Sequence, residues 1–360
     1  MKIHNKTNKP KNILSNEQDL LDRIAGIQAE LPNFLKDYFL FLKTSVATTT
    51  RLAYLQNIKF FLQYLIIDRE IEHIKDIPIE LIDDFTSQEF NYFIADYCTR
   101  YEVERNGEWI IYENNNASLS RKKSALLSMF KYLYRNKQIR HNISDGINPI
   151  KLPKKNPDSI KKLEVSETEK LIRIVSSGEG LSKKEFEFWK HTKKRDLLII
   201  LFFVIYGLRI SELEALNISS FQFEREEYTI FRKRGKESIM PLDKKLKEML
   251  VDYIETERDH LLQKEDEALF LSTQGKRLSK RSIQNLIKKY TSLVMGTTKN
   301  NGYSPHKLRA TAASSMIEKG FSIYDVQNLL DHDNITTTQL YAAHKKNAKR
   351  SIIDKLDWLD

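Results

Sequence analysis

Residues 197–213 read LLIILFFVIYGLRISEL. The apolar run Leu197–Tyr206 has helical character and is about half the ~20 residues needed to span a bilayer, which makes it a core helix. Gly207 ends it, and Arg209 then stands at a buried junction, just before a helix opened by Ser211. A guanidinium there needs an anionic partner. Its fork suits two phosphate oxygens at once, but for this stretch alone the favoured reading is an ion pair with Glu212 or Glu214.

Downstream, Glu227–Arg232 and Ile239–Leu242 are short strand-like runs around Lys233-Arg234-Gly235-Lys236. Ser279 caps a basic helix reaching Lys289, Pro305 opens another at His306, and Ser322 begins a third that runs to Leu330. His306 and Arg309 are three apart on the first turn of their helix, where the dipole and open amides attract phosphate. His332 and Tyr341 follow, nine residues apart. Each element alone has an ordinary reading, as a surface pair or a packed tyrosine.

Upstream, residues 1–18 are polar and without sustained periodicity, which predicts a mobile arm. Helical spacing of apolar residues then recurs over Leu20–Leu42 with a break at Pro32, over Thr48–Ile66, over Ser87–Tyr101 and over Ser118–Tyr134. The polar stretch Glu102–Asn116, with Gly107 and three consecutive Asn, predicts a hairpin or loop, and the first half is otherwise all-helical. Residues 148–163 hold three Pro and five Lys with little to bury, which marks a linker. The expected organisation is an arm (1–18), a helical domain (19–147), the linker (148–163) and a second domain (164–360), mainly α with a small antiparallel sheet.

Lys and Arg number 59 against 49 Asp and Glu, for a net charge of +10, which favours a polyanionic partner. The single cysteine, Cys98, reads as a small buried hydrophobe in a reduced compartment. With no signal-peptide core and no membrane span, a cytoplasmic protein is expected.

Taken in order, Gly207-Leu208-Arg209-x-Ser211-Glu212-Leu213, the Lys-bearing hairpin before Met240-Pro241-Leu242, His306-x-Leu308-Arg309, Leu330-x-His332 and Thr337-Thr338-x-x-Tyr341 resemble the tyrosine recombinase (phage integrase) family, Xer type. The first half resembles that family's helical, SAM-like core-binding domain. Leu20–Val46 and the Thr-rich second helix are most similar to the XerS-like single recombinases. The resemblance implies a two-domain DNA clamp that cuts and rejoins DNA through a 3′-phosphotyrosyl ester. Tyr341 would be the nucleophile, and Arg209 and Arg309 would hold the non-bridging oxygens. Lys233 would be the general acid, with Lys236 as a possible substitute. His306 would assist proton removal, and His332 would hydrogen-bond the phosphate. No metal, cofactor or ATP is implied. Two positions depart from the family's pattern: Asp331 stands where Gly commonly precedes the second His, and Ala310 where many relatives carry another His.

The resemblance also implies a double-stranded DNA partner with an inverted-repeat site, a homotetramer on two sites with the tail 348–360 docked in trans or in cis, and a possible DNA translocase. Thr48, Thr49, Arg51, Arg121 and Lys122 are expected phosphate contacts in the first domain, and Lys276, Arg277, Lys280 and Arg281 in the second. The competing readings are a non-catalytic DNA-binding protein on the same scaffold and a type IB topoisomerase.

Overall fold

A computed structural model describes residues 9–153, 161–232, 235–261 and 267–331. The chain divides into two compact units, Met1–Lys154 and Lys155–Asp360. Each has its own core, and the class is the expected one, mainly helical with small antiparallel sheets.

The first unit contains α1 (Lys11–Glu30), α2 (Lys36–Ser45), α3 (Thr48–Asp68), α4 (Ile79–Asp83), α5 (Ser87–Tyr92), strands β1 (Arg100–Arg105) and β2 (Glu108–Glu113), and α6 (Asn116–Arg135). Helix α3 is central, packing on α1 and α6 and burying Leu52, Leu55, Ile58, Phe61, Leu62 and Leu65. The sequence-based expectation fails in two places. Helix α1 starts at Lys11, inside the expected arm, with Pro10 at its N-cap. Its one buried residue, Ile24, lies in its second half, so the turns before Leu20 had no apolar periodicity to read. The stretch expected as a hairpin or loop, Glu102–Asn116, is a hairpin, but it begins at Arg100, inside the expected helix Ser87–Tyr101. After α5 the chain widens to a π-turn over Phe93–Tyr97 that ends at buried Cys98. It then extends from Arg100 into a hairpin pairing Tyr101 with Tyr112 and Val103 with Ile110. Asn106 (φ 54°) and Gly107 (φ 81°) form the turn, both in the left-handed region that tight hairpins require.

The second unit contains α7 (Val165–Ser177), α8 (Lys183–Lys190), α9 (Lys193–Tyr206), α10 (Ile210–Glu214), β3 (Phe221–Gln222), β4 (Glu227–Phe231), β5 (Glu237–Pro241), α11 (Lys244–Tyr253), α12 (Asp259–Leu261), α13 (Lys280–Met295), α14 (Pro305–Glu318) and α15 (Ile323–Leu330). Helix α9 is the axis. It packs on α7, α11, α13 and α14, and Leu198, Ile199, Ile200, Phe202 and Phe203 are fully buried, as an apolar run on all sides requires. The buried Glu257 carboxylate accepts the Lys194 and Arg195 amides at its N-terminus, complementing the dipole. Strands β3, β4 and β5 form one antiparallel sheet in sequence order. The Asp243 amide after β5 donates to the Tyr206 hydroxyl at 2.9 Å, joining sheet to axis. Among the described residues no helix is long and apolar enough to cross a membrane.

Candidate active site

The site is built where α9 ends. Gly207 adopts φ +59° as the C-cap of α9. A Cβ there would lie 2.6 Å from Leu330 Cδ2, so the backbone conformation and the close approach both call for glycine. Two residues on, Arg209 is the N-cap of α10. Its amide donates to Glu212 Oε2 and its Nη1 to Glu212 Oε1, both at 2.8 Å. Glu212 is 2% exposed, so a buried carboxylate fixes the guanidinium at one end. The ion pair and the phosphate reading are therefore compatible: Glu212 orients the fork without covering all its donors.

Helix α14 delivers the second arginine. Arg309 is 4% exposed. Its Nη1 donates to the Gly207 carbonyl at 2.5 Å and its Nη2 to the Leu330 carbonyl. Arg209 Nη2 donates to the next carbonyl, Asp331, at 2.6 Å. Arg232, just beyond β4, takes the preceding one, donating from Nη2 to Leu329 at 2.7 Å. Three guanidinium groups thus hold three consecutive carbonyls at the C-terminus of α15, acceptors that lack a helical donor and carry the negative end of the dipole. Arg232 was not singled out from the sequence. It sits in a basic hairpin where one arginine looks like the next, and the signal, an Arg ending a strand run, is generic.

His306 lies on the first turn of α14 with its side chain accessible to solvent. Partial desolvation, followed by the charges of Arg309 and Arg209, pushes its imidazole below the ordinary value of 6.5, so it is neutral at pH 7 and able to accept a proton. Asp331 is the C-cap of α15 in the left-handed region, φ 50°, the conformation that a glycine would hold with least strain. Its Oδ1 accepts from Lys236 Nζ at 2.9 Å, and its Oδ2 lies 3.7 Å from Arg209 Nη1 and 3.9 Å from Arg232 Nη1. Burial raises the Asp331 pKa, but the Lys236 bond and the charges of Arg232, Lys236 and Arg209 outweigh it, and the net shift is downward.

The structure therefore brings Arg209, His306 and Arg309 together, with Lys236 at the edge. Lys233, His332 and Tyr341 lie outside the described residues. The expected DNA contacts divide. Thr49, Arg121, Lys276, Lys280 and Arg281 are exposed and Thr48 is half-buried. Three positions depart from the reading as surface contacts. Arg51 is buried on the packing face of α3. Lys122 lies over the Phe60 ring at 3.8 Å, committed to a cation–π contact. Arg277 donates to the Glu214 and Leu216 carbonyls and to Asn217 Oδ1, so it ties a loop to the end of α10.

Residues 161–348 match the phage integrase family. The chain is 30% identical to the tyrosine recombinase XerC of Natranaerobius thermophilus over 294 residues, covering 78% of this chain and 91% of that protein. Its fold is similar to XerH site-specific recombinase bound to a palindromic difH substrate in a post-cleavage complex, with TM-score 0.57, 19% identity, and coverage of 86% of this chain and 79% of that one. It is also similar to a lambda integrase tetramer bound to a Holliday junction, with TM-score 0.55, 17% identity, and coverage of 94% and 82%. The chain belongs to the phage integrase family and is a Xer-type tyrosine recombinase, an enzyme of site-specific DNA recombination that cleaves and rejoins DNA through a phosphotyrosine intermediate.

Proposed function

We propose that Tyr341 attacks a DNA phosphodiester held between Arg209 and Arg309, forming a 3′-phosphotyrosyl ester and releasing a 5′-oxygen. The observation that carries this assignment is the convergence of Arg209 and Arg309, from helices a hundred residues apart in sequence, on adjacent carbonyls at the end of α15. Two fixed guanidinium groups neutralise the charge that builds on the non-bridging oxygens in the transition state. Neutral His306 takes the phenol proton, which at a reference pKa near ~10 does not leave unaided at pH 7. Lys233 protonates the leaving oxygen, and His332 hydrogen-bonds the phosphate. The ester conserves the energy of the broken bond, so rejoining needs neither ATP nor metal.

The working assembly is a homotetramer on two double-stranded inverted-repeat sites, and the biological role is chromosome-dimer resolution or mobile-element integration and excision. Similarity to XerC over 294 residues and to the DNA-bound lambda integrase tetramer supports this reading. On the same grounds the protein works in the cytoplasm on the nucleoid. Wild type and Tyr341→Phe are incubated in EDTA with a nicked duplex that the protein selects from a random pool, then run on denaturing gels. Only wild type should form an adduct. An adduct with Tyr341→Phe moves the nucleophile elsewhere, and no adduct from a wild type that binds the duplex favours the non-catalytic reading.

A further inference from the structure

The carboxylate of Asp331 sits among the cations of a site read as binding phosphate, where it competes with the incoming anion. It reaches Lys236 Nζ at 2.9 Å and faces Arg209 and Arg232 at 3.7 and 3.9 Å. The last two distances balance charge without forming hydrogen bonds. Arg232 makes the deficit plain: its side chain is 3% exposed, and its Nε and Nη1 have no hydrogen-bond partner among the described residues. Buried guanidinium donors left unfilled are costly, and an arriving acceptor would satisfy them. Lys236, by contrast, has a side chain 66% exposed, and an ion pair of that kind is weak and readily exchanged. The left-handed backbone of Asp331 adds strain that glycine would avoid, so the carboxylate is retained at a cost.

We propose that Asp331 is a built-in counter-anion: its carboxylate neutralises Lys236, Arg209 and Arg232 in the DNA-free enzyme, and a DNA phosphate displaces it from Lys236. This rests on the reading of Arg209 and Arg309 as phosphate ligands. Asp331 is thus a positioning residue that sets how strongly the cluster attracts DNA, suppressing engagement until enough other contacts have formed. The displaced carboxylate keeps its Arg232 and Arg209 neighbours, and no covalent step is involved.

The test is the affinity for the selected duplex, measured by fluorescence anisotropy across a salt series. Asp331→Asn keeps the shape and tolerates the left-handed conformation while removing the charge. It should bind roughly threefold to tenfold tighter at low salt, the advantage shrinking as salt rises. In a Lys236→Met background the same substitution should give a smaller gain, the part that comes from unmasking Arg209 and Arg232 alone. No gain from Asp331→Asn, or an equal gain without Lys236, overturns the proposal. If Asp331→Asn melts early, Asp331→Gly repeats the measurement with a relaxed backbone, and weaker binding by both makes Asp331 a scaffold residue only. The adduct assay on wild type separates the two readings: tighter binding by Asp331→Asn alongside no wild-type adduct would sink the catalytic assignment and leave the counter-anion standing.

Discussion

His306 shows how its environment, more than its residue type, sets the chemistry available. Histidine ordinarily titrates near 6.5, but partial desolvation and the charges of Arg309 and Arg209 favour the neutral ring. Because the folded-state value lies below the unfolded one, His306 contributes stability above about pH 6.5 that is lost as pH falls through the folded-state value. NMR titration of the DNA-free enzyme should place the His306 midpoint below about 6.5, and Arg209→Met should move it upward. A midpoint at or above the ordinary value would mean that the arginines do not act on the ring. Arg209, His306 and Arg309 were legible in the sequence because their spacing and flanking motifs are specific. Arg51, Lys122 and Arg277 were expected as exposed phosphate contacts, and the burial, ring and carbonyls that receive them were not legible, because a basic side chain does not announce which partner it will meet.

Among the elements, the turn between α9 and α10 carries the greatest structural demand. Gly207 combines a left-handed φ, a carbonyl bonded to Arg309 and contact with Leu330. Gly207→Ala should destabilise the protein by roughly 1–3 kcal/mol through overpacking and backbone strain, read as a lower denaturation midpoint, and should also reduce adduct formation by shifting Arg309. A variant as stable and active as wild type would show that Leu330 swings aside. The helices around this turn were readable from apolar spacing and from their caps: Ser279 accepts from Ser282, Ser322 from Asp325, and Pro305 opens α14. The β1–β2 hairpin was only half visible. Asn106-Gly107 is a strong turn signal, but Trp109, Ile110 and Ile111 are exposed, so no alternation marked a buried face. The start of α1 was hidden for the matching reason, since its turns before Leu20 bury no residue.

In the molecule as a whole, the buried clusters are disjoint: one draws on residues from Ile24 to Ile143 and another on residues from Leu163 to Leu308. Calorimetry should resolve two cooperative transitions. Leu55→Ala should lower only one of them and Phe203→Ala only the other, each by roughly 2–5 kcal/mol, since both side chains are fully buried. A single transition lowered by both variants would show that the units unfold as one. The cluster of arginines at the end of α15 bears on how this enzyme can change over generations. Its acceptors are the carbonyls of Leu329, Leu330 and Asp331, and every amino acid supplies one. Drift at position 331 therefore cannot delete the anchor of Arg209, and a lineage is free to try a carboxylate there, or discard it, while the clamp is inherited intact.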